Sequence, residues 1–275
     1  MAPTVMLMTL NEEMNLEAAM QSFPPGTNFV VYDSFSNDQT PEIAERLGAR
    51  IVQRSFDNWS SHQNWGARNI DFDCPWVYYC DADERMTPDL WRDICAAVAR
   101  PEGHVAFEMR RKDVFLGKWI RHSSFYPTWF VRLYQPDRIR WERLVNPVPI
   151  VDGSVGRIDG HILHFPFSKG IGYWFSRHIQ YADFEAQQIA SERQRSTKRL
   201  RSQRLSRSER RRALKRLFQK MPARPLIKFL FLYFVHRGFL DGRAGFNYAV
   251  MQAIYEYMIG LRTLEIRRSA RGLPV

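Results

Sequence analysis

Apolar and polar positions in the first hundred residues alternate in the pattern of strands that are each followed by a helix. Short apolar runs indicate buried strands, and Pro and Gly residues mark the turns. The predicted strands are 4–10, 28–32, 49–53 and 75–80. The predicted helices are 15–23, 41–47, 61–70 and 88–100. This order predicts an α/β domain in which a mostly parallel sheet carries helices on both faces.

Beyond residue 102 the pattern changes to β-prone aromatic segments separated by Gly and Pro. These segments are 105–109, 129–134, 148–151 and 161–165. Helical spacing returns at 170–193, and again at 225–236 and 246–264. The change near Gly170 predicts a boundary between a catalytic domain, residues 1–169, and a helical carboxy-terminal module, residues 170–275.

The charge of the chain is concentrated in one segment. The net charge is +11, and residues 192–220 hold thirteen basic and two acidic residues, so the rest is balanced at 27 of each. Residues 198–221 contain no Pro or Gly and predict a basic amphipathic helix, the kind that lies on an anionic membrane surface. A solvated helix packed on its own domain is the alternative. Nucleic-acid binding is disfavoured, because the segment lacks interleaved aromatic residues and no recognised nucleic-acid module accompanies it.

The expected location follows from three features of the sequence. The first apolar run has no basic flank before it, and the three cysteines show no CxxC spacing. The longest apolar run, 226–235, is half as long as the ~20 residues that a spanning helix needs. We therefore expect a cytoplasmic protein that is peripheral on the inner face of the membrane.

Acidic residues collect where two predicted strands end. Asp33 and Asp38 follow the second strand, and Asp81, Asp83 and Glu84 follow the fourth. The carboxyl ends of strands in an open parallel sheet are where ligands bind. Residues two apart on a strand point the same way, so Asp81 and Asp83 could hold a divalent ion that keeps other positions for diphosphate oxygens. The alternative is that these acids only form turns and helix caps.

The motifs around these acids, taken together and in order, resemble family 2 glycosyltransferases with the GT-A fold. They are LNEE at 10–13, VVYDSFSNDQT at 30–40, QNWGARN at 63–69, CDADER at 80–85 and FLGKWIRH at 115–122. The sequence resembles in particular the branch that includes the lipopolysaccharide core β-glucosyltransferases. Tyr126-Pro127 and later motifs at 132–134, 160–164 and 238–242 extend the resemblance over nearly the whole chain.

The resemblance implies transfer of a sugar from a nucleotide-sugar donor to a glycan or lipid-linked acceptor, with inversion and with Mg²⁺ or Mn²⁺. The implied nucleotide-sugar contacts are Thr9, Asn11, Glu12, Asp33, Asp38, Arg68 and Asp81. The implied metal ligands are Asp83, Asp81 and His164. Two of these residues have a structural alternative: Arg68 could pair with Asp81 or form a surface salt bridge, and His164 could be a core histidine.

Three residues are candidates for the acceptor side of the site, namely Trp119, His122 and Tyr126. The aromatic rings could stack on an acceptor sugar, but they are equally well explained as core. For His122 we leave open whether it contacts the metal or the acceptor.

The general base is where the sequence departs from the family. Relatives in this branch usually carry a His-Glu pair where this chain has Asn146-Pro147, and proline can do no acid–base chemistry. Glu142 is the preferred substitute, with Asp113 and Asp152 as alternatives. A catalytically inactive GT-A module that acts as a binding partner also remains open.

Overall fold

The computed structural model describes residues 1–144, 146–196 and 223–275, with side chains described outside 191–196. The chain divides into two compact units, Met1–Ile171 and Gly172–Val275. The predicted basic helix at 198–221 lies outside the described residues. Among the helices that are described, none is both long and apolar enough to cross a membrane.

The first unit contains the strands and four of the helices. Its strands are β1 (Thr4–Thr9), β2 (Phe29–Asp33), β3 (Arg50–Gln53), β4 (Val77–Asp81), β5 (Glu84–Arg85), β6 (His104–Phe115), β7 (Lys118–Trp119), β8 (Trp129–Tyr134), β9 (Ile139–Glu142), β10 (Val148–Val151) and β11 (Ser154–His164). Its helices are α1 (Leu16–Gln21), α2 (Thr40–Arg46), α3 (Trp59–Asn69) and α4 (Pro88–Ala99). The helices begin where the sequence provides caps: the Thr87 side chain accepts from the Leu90 N–H ahead of α4, and Asn58 accepts from Ser61 ahead of α3.

The main sheet has the order β3-β2-β1-β4-β8-β6-β11-β5, with β7 paired to β6. The first four strands, β1 to β4, pair with one another in parallel. β8 is antiparallel to both of its neighbours, β4 and β6, and β11 is parallel to β6. The strands β1, β2, β3, β4, β6 and β11 therefore all end at one edge, which we call the carboxyl edge. β9 and β10 form a separate antiparallel pair.

Helices cover both faces of the sheet, as the sequence predicted. Along β1, Val5 and Leu7 pack with buried residues of α1, α2 and α4, whereas Met6 and Met8 pack on the other face with Ala67 of α3. Because both faces of β1 are buried, its sequence is apolar along the strand and does not alternate with polar residues.

Strand β11 is longer than the predicted segment 161–165 because its glycines are not turn residues. A Cβ atom on Gly156 would lie 2.5 Å from Phe107, and one on Gly160 would lie 2.5 Å from Leu90 of α4. These glycines let the strand pass close to its neighbours, which allows β11 to run the length of β6.

The second unit is helical. It contains α5 (Ile171–Ser196), α6 (Arg224–Leu230), a π-helical turn (Phe231–Val235), a 3₁₀ turn (Gly238–Asp241) and α7 (Gly242–Ser269). The predicted helix 225–236 is thus α-helical only as far as Leu230. Ala182 and Ile189 of α5 pack with Ile259 of α7 in the core of this unit.

Candidate active site

The carboxyl edge of the sheet brings together most of the acidic residues that the sequence singled out. Thr9 of β1 lies opposite Asp33 of β2, and Met8 lies opposite Asp81 of β4. On the other side of β4, the Phe165 N–H that follows β11 donates to the Asp83 carbonyl at 2.9 Å. The loops after four strands therefore meet around one site.

Asp33 is completely buried at the end of β2 and receives several hydrogen bonds. Its carboxylate accepts from the Thr9 hydroxyl at 2.9 Å, from the Ser36 N–H at 2.9 Å and from the Gln53 amide at 3.2 Å. Asn11 is tied to the same loop, because its N–H donates to the Ser36 hydroxyl at 2.8 Å. Asp33 is therefore held in place by donors from β1, from β3 and from the loop after β2.

Glu12 is a buried carboxylate with a cationic partner that the sequence analysis missed. Lys169 Nζ lies 2.6 Å from one Glu12 oxygen, and the Asn15 amide donates to the other at 2.8 Å. Burial raises the pKa of Glu12 and outweighs the lowering by Lys169. Lys169 also donates to the Asn11 carbonyl at 2.6 Å, so it ties the segment after β11 to the loop after β1. No local motif marks this lysine.

Asp38 fixes the other end of the loop after β2. It accepts from the Thr40 N–H at 3.0 Å and from the Glu13 N–H at 3.1 Å. Burial raises the pKa of Asp38, but the hydrogen bonds from Thr40 and Glu13 outweigh it, so the pKa is lowered. Asp38 thus shapes the loop as an ionised carboxylate.

Asp81 shares a buried arginine with Glu84. Arg132 of β8 donates to Asp81 at 2.7 Å and to Glu84 at 2.5 Å, and the Tyr79 hydroxyl also donates to Asp81. Arg132 is 4% exposed and Glu84 is fully buried. Burial raises the pKa of both carboxyls; for Asp81 the Arg132 charge and the hydrogen bonds reverse this, and for Glu84 burial prevails. Asp81 therefore pairs with Arg132, and not with Arg68.

Asp83 lies beside a histidine whose orientation is fixed by a second carboxylate. His164 Nε2 is 3.5 Å from Asp83, and His164 Nδ1 is 2.6 Å from Asp113 on β6. Arg111 in turn lies 3.0 Å from Asp113. Burial and Arg111 lower the pKa of His164, but Asp83 and Asp113 outweigh them and raise it to about 9.

This arrangement fits a divalent ion. Asp113 holds Nδ1 of His164, and Nε2 faces an Asp83 oxygen. With its raised pKa the ring carries a proton on both nitrogens at neutral pH, so an ion held here would take the place of the Nε2 proton. Within residues 1–144, 146–196 and 223–275, no group of three metal-ligating side chains is found. Two protein ligands would leave the remaining positions of the ion for oxygens of a diphosphate.

The acceptor candidates follow β6, and Trp119 pairs with Val114, the residue after Asp113. The Ile120 N–H donates to the Asp113 carbonyl at 3.0 Å, which places the β6–β7 hairpin beside the acidic site. The Trp119 ring is already covered: Lys112 lies 4.6 Å and Arg121 5.5 Å from it, and Tyr126 packs edge-on at 4.9 Å. The ring is thus less open to sugar stacking than the sequence suggested. The backbone carbonyl of the partly buried His122 accepts from the Phe125 N–H.

Two candidate residues lie away from this edge. Arg68, near the end of α3, lines a groove with Cys74 and Pro75, which precede β4, so it sits at the opposite end of that strand from Asp83. Asp152 precedes the start of β11 and is 88% exposed beside Arg138. The structure does not bring either residue to the acidic site.

Glu142 ends β9, about half exposed, with its carboxylate 3.3 Å from Arg140. Two residues later, the Leu144 carbonyl accepts from Trp59, the first residue of α3. Because α3 follows β3 and returns to the start of β4, its first turn lies at the carboxyl edge. Glu142 therefore lies towards the carboxyl edge, the side of the sheet where the acidic residues collect.

A relative found by comparison with known proteins matches over nearly the whole chain. The lipopolysaccharide core biosynthesis glycosyltransferase LpsC of Rhizobium meliloti is 24% identical over 98% of this chain and 93% of its own length. The uncharacterized glycosyltransferase Mb0553 of Mycobacterium bovis is 35% identical over 31% of this chain. The chain spans 38% of Mb0553 and 22% of a TPR repeat-containing protein of Synechococcus elongatus.

Among solved structures, S. aureus TarS 1-349 has a TM-score of 0.43 and 14% identity, covering 99% of this chain and 92% of that one. The model of the family described as "Glycosyl transferase family 2" matches residues 4–162, which is more than half of the chain. The resemblance to this family and to its lipopolysaccharide core branch is confirmed. By this match the chain belongs to glycosyl transferase family 2.

Proposed function

We propose that this protein transfers a sugar, with inversion, from a nucleotide-sugar donor to a glycan or lipid-linked acceptor, using Mg²⁺ or Mn²⁺. The observation that carries the proposal is the contact of Asp83 with His164, whose other nitrogen is held by Asp113. A carboxylate and an oriented imidazole at the carboxyl edge are suited to hold an ion against a diphosphate.

The residues of the site divide into a metal half and a donor half. Asp83 and His164 would hold the ion, which supplies positive charge to the departing diphosphate. The donor half is the adjoining set of strand ends, formed by Thr9, Asn11, Glu12, Asp33, Asp38 and Asp81. Arg132 fixes Asp81 in one position, so a donor group that contacts Asp81 meets a carboxylate that is already oriented.

For the general base we propose Glu142. Inversion needs a carboxylate that takes the acceptor proton on the face of the sugar opposite the diphosphate. Asp113 is already bonded to His164 and Arg111, which lower its pKa against the effect of burial and make it a poor base. Asp152 lies away from the carboxyl edge, whereas Glu142 is near it and partly exposed.

The proposed place of action is the cytoplasmic side of the inner membrane, with the protein peripheral to it. LpsC, which matches nearly the whole chain, is described as an enzyme of lipopolysaccharide core biosynthesis. The excess positive charge in 192–220 supports contact with anionic lipid.

The test of this function is a thermal-shift panel of nucleotide sugars in the presence of Mn²⁺. A donor at 100 times its Kd adds about 2.7 kcal/mol to the free energy of unfolding. This should raise the Tm by roughly 5 to 10 °C for one donor. EDTA should abolish the shift. The proposal fails if no nucleotide sugar or nucleoside diphosphate changes the Tm, and an RNA-dependent shift in its place would favour nucleic-acid binding.

Asp113→Asn should weaken Mn²⁺ binding by about 10- to 100-fold, because a neutral amide holds the His164 ring less firmly than a carboxylate. The measurement is titration of free Mn²⁺ by electron paramagnetic resonance with the donor from the panel present. Glu108→Gln is the matched control, since Glu108 lies on the same strand but pairs with Arg157 at the surface. Equal Mn²⁺ affinity in both variants would show that Asp113 does not position His164.

A further inference from the structure

We propose that the second unit inserts an apolar tip, residues 226–240, into a lipid bilayer that contains anionic lipid. The tip presents large apolar side chains that are between 42% and 67% exposed: Leu226, Leu230, Phe231, Phe234, Val235, Phe239 and Leu240. An exposed apolar cluster of this density on a folded protein marks an interaction surface. The inference deepens the proposed membrane location and rests on it, by naming the residues that enter the lipid.

The backbone of the tip is largely satisfied by its own hydrogen bonds. After the π-helical turn, the His236 N–H donates to the Phe231 carbonyl at 2.9 Å and the Arg237 N–H donates to Phe234 at 3.2 Å. The Leu240 N–H then donates to the Arg237 carbonyl at 2.9 Å. Unsatisfied backbone groups are what makes entry of a chain into lipid costly. This closed turn can therefore enter the bilayer interface at little cost in hydrogen bonds.

Rings of the tip pack against one another and still leave large apolar surface exposed. Phe229, Tyr233 and Phe246 form a cluster with ring centroids 5.4 to 5.8 Å apart. Leu232 is fully buried. Phe234 packs edge-on against Tyr233 at 5.1 Å and is still 56% exposed, and Val235 beside it is 67% exposed. Phe246 is itself 45% exposed and adds to the apolar surface.

The charge around the tip is complementary to an anionic membrane. Residues 223–240 contain no Asp or Glu, and Asp241, which follows, is 2% exposed. Lys228 lies within the tip, and Arg237 and Arg243 are exposed in and after it. Cations that border an apolar surface place their charges at the headgroups while the apolar part enters the lipid.

The same charges argue against a second copy of the chain as the occupant. A symmetric dimer through the tip would bring the same patch of both copies together. Arg237 and Arg243 of one copy would then approach those of the other, with no carboxylate in 223–240 to offset them. A lipid headgroup supplies the missing negative charge.

Insertion and electrostatic adsorption differ in their response to salt. The basic segment 192–220 predicts adsorption, which weakens as salt shortens the Debye length to about 3 Å at 1 M. Burial of apolar side chains is not screened in this way. If the tip inserts, part of the binding persists at high salt and depends on the tip residues.

The experiment is co-sedimentation of the full chain with phosphatidylcholine vesicles, with and without phosphatidylglycerol, at low and high salt. At high salt the double substitution Phe234→Asp with Val235→Asp should lower partitioning to the phosphatidylglycerol vesicles by about 100-fold. Ile179→Asp is the control, because Ile179 is 52% exposed in the same unit but lies on α5. The control should bind as the unaltered protein does.

Two results would overturn the inference. One is that binding of the unaltered protein disappears at high salt and the double variant behaves like the control. Electrostatic adsorption would then account for all of the binding. The other is that the double substitution changes the sedimenting mass without lipid, which would make the tip a self-association surface. The thermal-shift panel measures donor binding and does not depend on lipid. Failure of the proposed sugar-transfer function can therefore be distinguished from failure of this inference.

Discussion

Asp83→Ala is expected to lower the rate of sugar transfer by about 10³-fold or more while the protein stays folded. Asp83 is the carboxylate that lies 3.5 Å from Nε2 of His164, so its removal would leave an ion bound at the proposed site with one protein ligand. The measurement is the initial rate of transfer with the donor that the thermal-shift panel identifies. The Tm of the ligand-free variant serves to check that the fold is retained.

Asp152→Ala is the matched control for this variant. Asp152 is also an aspartate of the first unit, but it is exposed at the opposite end of the sheet and its nearest charged partner is Arg138. Its loss should change neither the transfer rate nor the Mn²⁺-dependent stabilisation by the donor. If Asp83→Ala retains both properties, Asp83 is not a metal ligand and the proposed mechanism is refuted.

The position of the acids could be predicted because each depends on a short stretch of sequence. β4 was expected at 75–80 and is Val77–Asp81, with its apolar run ending directly in the acidic turn. β2 was expected at 28–32 and is Phe29–Asp33. Since both strands are buried and parallel, the place where the apolar run stops is also where the strand reaches the carboxyl edge.

The partners of these acids could not be predicted, because they come from strands far along the chain. His164 meets Asp113 only because β11 pairs in parallel with β6. Before residue 161 the local pattern does not indicate β11, because Gly156 and Gly160 have the character of turn residues until their close neighbours are known. The sequence alone therefore presents Asp113 only as a candidate base, and its role in orienting His164 follows from this strand pairing.

The arginine that pairs with Asp81 could not be predicted for the same reason. Arg68 lies in a family motif close to Asp81 in sequence, but α3 carries it towards the start of β4. Arg132 is 51 residues from Asp81, and it reaches that carboxylate because β8 is inserted antiparallel beside β4. A long antiparallel return of this kind has no signature in local periodicity.

Arg132→Met is expected to lower the free energy of unfolding of the first unit by about 3–5 kcal/mol. Methionine fills much of the same space, but it leaves the buried carboxylate of Glu84 without its main cation and removes a hydrogen bond from Asp81. An unpaired charge in a buried position costs far more than the pair itself contributes. Urea denaturation followed by tryptophan fluorescence measures the change.

A second substitution separates charge from packing. Adding Glu84→Gln to Arg132→Met removes the unpaired buried carboxylate, so the double variant should be more stable than Arg132→Met alone. The control is Arg46→Met, which breaks an arginine–carboxylate pair with Glu17 on the exposed surface and should leave the urea midpoint nearly unchanged. If the double variant is no more stable than the single one, the loss comes from packing around Arg132. The buried charge would then not be what requires an arginine at this position.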